Sequence, residues 1–241
     1  MKIGIISDIH GNMEALNKAL QILEENNVDE IFCLGDIVGY GPDPGDCINK
    51  IKENCSHVVL GNHDAAIIGK EDAHRFNRYA LISNLWTADH LTTDQKAFLN
   101  ELPYTYSDRE SALFVHSSPF QPEYFNYILS PGDAMFEFAE FSEKLCFIGH
   151  SHKPAIFSNT SDYLVPGDTP IDLSGDHRFI VNVGSVGQPR DGDSRGCLMI
   201  YDSWKFIIEY HRFEYPYEIT QDKIAGFDLP EFLAERLSRG M

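Results

Sequence analysis

The sequence has few cysteines and none of the spacings that cysteine-based sites need. Its five cysteines are an odd number and include no C-x-x-C pair, which argues against a disulfide framework and against a thiolate zinc site. Three of them, Cys33, Cys146 and Cys197, lie inside apolar runs, where we expect buried and unreactive thiols. This cysteine usage favours a reducing compartment, and we expect a cytoplasmic protein.

Long apolar runs and positive charge are also scarce. No run approaches the roughly 18 apolar residues of a membrane-spanning helix, and the apolar start of the chain meets Asp8 too early for a signal peptide. The 19 Lys and Arg residues are outnumbered by 37 Asp and Glu residues, which gives a formal net charge of −18. Such a charge repels a phosphate backbone, so we expect no long nucleic-acid partner and no membrane association.

The length and composition are those of a globular protein. The chain has 241 residues, of which 43% are apolar, enough to bury a core without disulfide or metal crosslinks. No repeat, low-complexity tract or linker divides it. We therefore expect one domain over residues 1–241.

Short apolar runs of strand length recur along the chain, and several are apolar throughout, which is typical of strands buried on both faces. They cover residues 2–7, 30–34, 57–60, 112–115, 144–148, 178–183, 197–201 and 205–210. Helical spacing of Met13, Leu16, Leu20 and Leu23 predicts a first helix. Further helices are predicted over 44–54, 71–102 with a Thr92/Gln95 capping box, 134–141 and from 218 onward. The pattern indicates an α/β fold with two sheets, a helical insert at about 65–110 and antiparallel hairpins over 155–210.

Asp, Asn and His side chains follow five of the predicted strands, at the point where each strand ends. In strand order they are Asp8 and His10, then Asp36, then Asn62 with His63 and Asp64, then His116, and finally His150 and His152. In open α/β sheets this edge is where ligands bind. For any one of these residues alone, a polar cap on a strand end is the better explanation.

Seven of these side chains offer carboxylate, amide or imidazole donors and no thiolate, a set that suits Mn, Fe, Zn or Ni. A single divalent ion needs three or four protein ligands, so seven favour two ions about 3.5–4 Å apart that share one carboxylate. Asp36 is the natural bridge, because Asp8 pairs with His10 two residues on, and residues two apart in an extended segment point the same way.

The ordered pattern D-x-H, G-D, G-N-H-D, a lone H and G-H-x-H resembles that of the calcineurin-like metallophosphoesterase superfamily, over residues 8–152. Segments 35–44 and 184–192 are similar to those of a small bacterial branch that contains phosphodiesterases, phosphatases and proteins similar to diadenosine polyphosphate hydrolases. The resemblance implies an α/β fold, a four-layer α-β-β-α sandwich of two mixed sheets with outer helices.

The resemblance also implies roles for individual residues. One metal ion would be held by Asp8, His10, Asp36 and His152, and the other by Asp36, Asn62, His116 and His150. A hydroxide bridging the ions would attack phosphorus, His63 would act as general acid, and Asp64 would hold the His63 ring. Arg190 and Arg195 are candidates for phosphate contacts, with an exposed surface role as the alternative, and Asn12 and Tyr40 are candidates for substrate contacts, with a structural role as the alternative.

The resulting hypothesis is a phosphoesterase that uses two divalent ions to hydrolyse a small phosphoester, phosphodiester or dinucleotide polyphosphate. The alternatives are a non-catalytic scaffold of the same fold and, on weaker grounds, a nuclease. The five motifs have the expected residue type at every position, and His63 is present, which favours an enzyme. The substrate, the metals and the choice between monomer and homodimer stay open, and the insert can form a wall, a lid or a dimer surface.

Overall fold

The computed structural model describes residues 1–108, 111–227 and 229–241. Within these residues the strands form two six-stranded sheets. The first sheet has the spatial order β3 (His57–Val58), β2 (Glu30–Cys33), β1 (Lys2–Ile6), β11 (Gly196–Asp202), β12 (Ile207–Phe213) and β9 (Ile171–Asp172). The second has the order β4 (Thr105–Ser107), β5 (Ala112–Val115), β6 (Leu145–Ile148), β10 (Phe179–Asn182), β7 (Ala155–Ser158) and β8 (Tyr163–Leu164).

Both sheets are mixed, and the parallel part of each one positions the site. In the first sheet β1, β2 and β3 are parallel, with Ile3 opposite Glu30, while β1 and β11 are antiparallel. In the second sheet β5, β6 and β10 are parallel. Parallel strands end at the same edge of a sheet, so the loops that follow β1, β2, β3, β5 and β6 can meet there.

Strand β1 is buried and apolar from Ile3 to Ile6 because both of its faces are covered. Ile3 and Ile5 face the second sheet and pack in one cluster with Phe114 and Phe147. Ile6 points the other way, into a cluster that includes the helices on the outer face of the first sheet. A period of two along a strand sends alternate side chains to opposite faces, so a strand between two layers needs apolar residues at every position.

Helices cover the outer faces of both sheets and complete four layers. Helices α1 (Met13–Glu25) and α2 (Pro44–Asn54) pack on the first sheet, and α6 (Pro131–Glu137) packs on the second. The remaining helices are α3 (Asn62–Ile67), α4 (Arg78–His90), α5 (Thr93–Glu101), α7 (Tyr217–Gly226) and α8 (Glu231–Glu235). The predicted fold class, two mixed sheets with outer helices, is confirmed.

Several element boundaries differ from those predicted. The stretch 71–102 is mostly helical, as predicted, and consists of a 3-10 turn followed by α4 and α5, with the Thr92/Gln95 capping box at the start of α5. Helix α6 begins three residues early because the Ser130 side chain caps it together with Asp133. Strand β4 and helix α3 were not predicted. Residues 109 and 110 of the predicted insert and residue 228 of the predicted C-terminal helix lie outside the described residues.

None of the helices within the described residues combines the length and the apolar character that crossing a bilayer requires.

Candidate functional site

The seven side chains predicted at strand ends lie together where the two sheets meet. Asp8 and His10 follow β1, Asp36 follows β2, Asn62 begins α3 after β3, His116 follows β5, and His150 and His152 follow β6. None of the seven is more than 8% exposed. The first sheet thus contributes four of these residues and the second sheet three, so the cluster exists only when both sheets are packed.

Asp36 belongs to both of the groups into which the donor atoms fall. One group contains Asp8, His10, Asp36 and His152, the other contains Asp36, His116 and His150, and in each group the donor atoms lie within 4.8 Å of one another. The amide oxygen of Asn62 lies 3.1 Å from His116 Nε2, beside the second group. These are the two sets that the sequence resemblance implied.

Main-chain carbonyl groups orient three of the imidazoles. His10 Nδ1 lies 3.0 Å from the Val38 oxygen, His116 Nδ1 lies 2.7 Å from the Leu34 oxygen, and His152 Nδ1 lies 2.5 Å from the Gln188 oxygen. A carbonyl oxygen can only accept, so each Nδ1 carries a proton and each ring turns its Nε2 inward. This is the usual arrangement of a metal-binding histidine.

The inward-facing atoms lack partners of opposite polarity. Burial lowers the pKa of His10 and of His152 well below the usual imidazole range, so both rings are neutral, yet their Nε2 atoms are only 3.1 Å apart. Among the described residues, Asp8 Oδ1 and His150 Nε2 have no hydrogen-bond partner. Facing lone pairs and orphaned acceptors are unfavourable in a buried site, and a cation in each of the two groups would satisfy all four atoms.

The two buried carboxylates point to the same conclusion. Burial, together with the negative charge of Asp36, raises the pKa of Asp8 to about 7 despite the opposing effect of His116. Burial alone would raise the pKa of Asp36, but the imidazoles of His116 and His63 outweigh it and hold that pKa well below its usual range. Asp36 therefore stays ionised in the interior, where a buried charge needs a counter-charge. The donor set fits divalent cations and leaves their identity open.

Five of the seven residues adopt a left-handed backbone conformation that non-glycine residues rarely accept. The φ angles are 55° at Asp8, 52° at His10, 52° at Asp36, 64° at His150 and 60° at His152. Asp8 and His10 both reach the cluster, as expected, but the reason given for it, an extended segment between them, is wrong. The chain turns at each residue, and such conformations, at about 1–3 kcal/mol each, persist where the surroundings enforce them.

Two glycines of the motifs leave room for the carboxylates. A Cβ atom at Gly61 would overlap the amide nitrogen and Oδ1 of Asp36. A Cβ atom at Gly149 would overlap Oδ2 of Asp8 and the Ser7 hydroxyl. The glycines of G-N-H-D and G-H-x-H are therefore required by close approach of the backbone to the side chains in the cluster.

Comparison with known proteins agrees with this geometry. Residues 1–203 match the model of the calcineurin-like phosphoesterase superfamily domain. The chain belongs to this superfamily. It is 40% identical over 243 residues to an uncharacterized protein of Methanocaldococcus jannaschii, across 99% of this chain and 98% of that one. A crystal structure of a metallophosphoesterase from Sphaerobacter thermophilus shares 37% identity and a TM-score of 0.91, across 100% of this chain and 99% of that one.

A more distant relative has a named substrate. A symmetrical bis(5'-nucleosyl)-tetraphosphatase of Erwinia tasmaniensis is 28% identical over 135 residues, which is 52% of this chain and 46% of that protein. The chain therefore matches less than half of the length of that relative. The superfamily predicted from the sequence is confirmed, and this family is known for phosphoesterases and for the use of divalent metals.

His63 lies beside the cluster of seven side chains and is 4% exposed. Its main-chain N–H donates to Asp36 Oδ1 at 2.8 Å, and its Nδ1 lies 2.9 Å from Asn84 Oδ1. The prediction that Asp64 holds the His63 ring is wrong, because that place is taken by Asn84 of helix α4.

Asp64 instead holds the loop that carries Asp36. Its carboxylate accepts hydrogen bonds from the main-chain N–H groups of Ile37 at 3.0 Å, Val38 at 3.1 Å and Gly61 at 3.2 Å. Sequence reasoning missed Asn84, since no motif surrounds it. The available signal was a buried polar face on α4, formed by Ser83, Asn84 and Thr87.

The four candidate substrate residues separate into two pairs. Tyr40 and Arg190 lie beside the cluster: the Tyr40 ring centre is 4.8 Å from that of His10, and the Arg190 guanidinium carbon is 5.5 Å from the Tyr40 ring. Asn12 is occupied by structural contacts, because its side chain caps α1 and bonds Gly187, Tyr215 and Thr220. Arg195 pairs with Asp193 at 2.6 Å and is 45% exposed, so the structure does not bring it to the cluster.

A cavity of about 320 Å³ opens beside the second group of ligands. Asn62, His63 and His150 form its floor, and the insert supplies one wall through Phe76 and its neighbours. Segment 122–127 supplies the opposite wall, where the Tyr127 ring stacks on His150 with centres 3.9 Å apart. The insert is thus one wall of the cleft, and Tyr127 is a contact that no sequence motif indicated.

We expect Gly61→Ala to weaken Mn²⁺ binding about 10- to 100-fold, the usual effect of disturbing the groups that orient metal ligands. The added methyl group must displace the Asp36 carboxylate that both groups share. Isothermal titration of Mn²⁺ into the variant measures the change. Gly167→Ala is the matched control, because a Cβ atom there meets nothing within 4 Å. Unchanged Mn²⁺ affinity in Gly61→Ala would show that the close contact is irrelevant to the site.

Proposed function

We propose that the protein is a dinuclear metal-dependent phosphoesterase that hydrolyses a small phosphoester, phosphodiester or dinucleotide polyphosphate. The observation that carries this proposal is the position of Asp36, whose carboxylate belongs to two groups of buried donor atoms at once. A structural cluster has no need of a shared carboxylate between two sets of inward-facing imidazoles. Two divalent ions bridged by one carboxylate need this arrangement.

Asp8, His10, Asp36 and His152 would hold one ion, and Asp36, Asn62, His116 and His150 the other. Such a pair of ions lowers the pKa of water and polarises a phosphoryl oxygen. The protein supplies fixed ligand positions, since the carbonyl groups of Val38, Leu34 and Gln188 lock three of the rings before any ion arrives. Ligands fixed in advance need no reorganisation when a substrate binds.

His63 is positioned to act on the leaving group. Asn84 Oδ1 accepts a hydrogen bond from Nδ1, which turns Nε2 of the ring away from α4. Burial lowers the pKa of His63, and an anionic phosphate beside the ring would raise it again. The bound substrate itself would thus favour the protonated ring, which can donate its Nε2 proton to the departing oxygen.

The surroundings of the cluster favour small substrates. The cavity beside Asn62 and His150 is closed by the insert on one side and by Tyr124 and Tyr127 on the other. A net charge of −18 disfavours the approach of a polyanion. The relative from Erwinia tasmaniensis is named for a dinucleotide polyphosphate, which supports including such compounds among the candidates.

A panel of activities with added Mn²⁺ tests the function. It contains bis-p-nitrophenyl phosphate, p-nitrophenyl phosphate, diadenosine tetraphosphate and cyclic AMP, each with and without EDTA. We expect turnover of at least one compound that EDTA abolishes and Mn²⁺ restores. Absence of turnover with all four, in protein that still binds metal, would favour the non-catalytic scaffold instead.

We expect Asp36→Asn to reduce the bound metal from up to two ions per chain to less than one, and to abolish turnover. An amide has no charge to share between two cations, so the change affects both groups at once. Metal analysis after gel filtration measures the loss, with Asp46→Asn as the control, because Asp46 is exposed on α2. Retention of full metal content and activity by Asp36→Asn would make the shared-carboxylate assignment wrong.

We expect His63→Ala to keep both ions and to lower kcat by about 10²- to 10⁴-fold, the range for loss of a general acid. The loss should be smaller for p-nitrophenyl esters, because p-nitrophenolate leaves without protonation, and larger for esters of alkyl alcohols. Rates on both classes and metal content are measured on the same variant, with the exposed His74→Ala as the control.

Two outcomes at His63 would contradict this role. Equal losses for good and poor leaving groups would indicate stabilisation of the transition-state charge and not proton donation. Loss of metal from His63→Ala would make His63 a ligand.

A further inference from the structure

Two arginines from distant parts of the chain flank the same tyrosine beside the cluster. The guanidinium carbons of Arg190 and Arg236 each lie 5.5 Å from the centre of the Tyr40 ring. Arg190 lies in the loop between β10 and β11, and Arg236 follows α8. Arg236 is outside residues 1–203, so it is not part of the region that the superfamily model matches.

Neither arginine pairs with an Asp or Glu side chain among the described residues. Arg190 donates to the Gln188 side-chain oxygen, with Nη2 at 2.7 Å. Arg236 is only 9% exposed, donates from Nε to the main-chain oxygen of Met241 at 2.5 Å and bonds the Tyr40 side chain. Other basic residues of the C-terminal half do pair with acids: Arg195 with Asp193, Arg212 with Asp191, and Lys223 with Glu14 and Asp43.

An unpaired buried cation is unfavourable, and two that share a ring also repel each other. Acidic residues outnumber basic ones by 37 to 19, so this chain does not lack carboxylates that could have served as partners. Burial and the nearby charge of Arg190 lower the pKa of Arg236 to about 10, which still leaves it charged at neutral pH. No Asp or Glu side chain among the described residues forms an ion pair with either guanidinium group, so the two groups form a positive site at the edge of the cluster.

The positive site adjoins the first group of ligands. The Arg190 main-chain N–H donates to the His152 oxygen at 3.4 Å, and the Gln188 oxygen accepts from the His152 ring. The Tyr40 ring, which both arginines flank, is 4.8 Å from the His10 ring. Tyr40 also lines the cavity beside Asn62 and His150, in the second group. The positive site and the cavity therefore adjoin the same tyrosine.

We propose that Arg190 and Arg236 bind a second phosphoryl group of the substrate, so that the site prefers compounds with two linked phosphoryl groups over single phosphoesters. This inference rests on the proposed function, which places the first phosphoryl group at the metal centre. Guanidinium groups bind phosphate oxygens in pairs through their planar fork of N–H donors. The other role open to Arg236 is structural, as a contact that fastens the C-terminal segment to Tyr40.

The test compares two inhibitors of bis-p-nitrophenyl phosphate turnover in the metal-loaded full chain. Orthophosphate carries one phosphoryl group, and methylenediphosphonate carries two linked groups that the enzyme cannot separate. A fixed excess of free Mn²⁺ and metal analysis afterwards control for chelation. We expect the wild-type protein to bind the diphosphonate at least about tenfold more tightly than orthophosphate.

We expect Arg236→Gln to weaken diphosphonate inhibition at least about tenfold and to change orthophosphate inhibition less than twofold. Arg236→Lys keeps the positive charge but loses the planar fork of N–H donors. Its inhibition by the diphosphonate should therefore be intermediate between that of the wild-type protein and that of Arg236→Gln. Arg239→Gln is the matched control, because Arg239 is an exposed neighbour on the same segment. A merely structural role for Arg236 would change inhibition by both anions equally. That result, or no change with either anion, would overturn the inference.

A second variant and a second measurement test the inference if the first variant does not fold or the protein is inactive. If Arg236→Gln does not fold, Arg190→Gln provides the same comparison, since its guanidinium shares the positive site. If the wild-type protein does not turn over any ester, calorimetric titration of both anions gives the same ratio. Selective loss of diphosphonate binding would then support the inference although the proposed function had failed. An active enzyme without that selectivity would overturn the inference alone.

Discussion

The carboxylate of Asp36 is the group on which the rest of the site depends. It is 1% exposed, remains ionised and stands between imidazoles from both sheets. One of its oxygens accepts the main-chain N–H of His63, while the other faces His10 at 3.7 Å and His116 at 3.4 Å. A buried charge in this position constrains its whole environment, because every neighbouring group must either donate to it or be separated from it by a cation.

Several features otherwise unrelated in sequence support that one side chain. Asp64 accepts three main-chain N–H groups and thereby holds the loop in which Asp36 lies. Gly61 leaves the space that the carboxylate occupies. The left-handed conformation of Asp36 and of the residues facing it is unfavourable locally. The packing of two apolar sheets, in which Phe114 and Phe147 form a common cluster with β1, stabilises the assembly against this local strain.

The charges of the chain are distributed so that its overall negative charge and its local positive site act differently on anions. A net charge of −18 is spread over the protein, whereas the guanidinium groups of Arg190 and Arg236, which have no Asp or Glu partner among the described residues, are confined to the edge of the cluster. A polyanion with many charges is repelled over a large part of the surface. A compact anion bound at a local positive site is repelled much less, because repulsion from distant charges is screened by salt. The aromatic rings of Phe76 and Tyr127 line the cavity beside the cluster.

The sequence by itself determined which residues form the cluster and at which edge they lie. Each of the seven residues follows an apolar run in a short motif, and the end of a buried strand is a local property that hydrophobic periodicity reveals. The sequence did not reveal how these residues turn inward, because the left-handed conformations at Asp8 and His10 depend on carbonyl groups of other loops.

The tertiary structure alone decided which side chains support the cluster and which surround it. Asn84 reaches His63 from a helix 21 residues away, and Arg236 reaches Tyr40 from the last turn of the chain. In the folded chain Asp64 accepts hydrogen bonds from three main-chain N–H groups, and Asn12 and Arg195 make structural contacts. Such contacts join residues with no common motif, and their geometry arises only when helices of the insert and of the C-terminal segment pack against the completed sheets. Spacing along a chain encodes local conformation, whereas these distances depend on how separate elements pack.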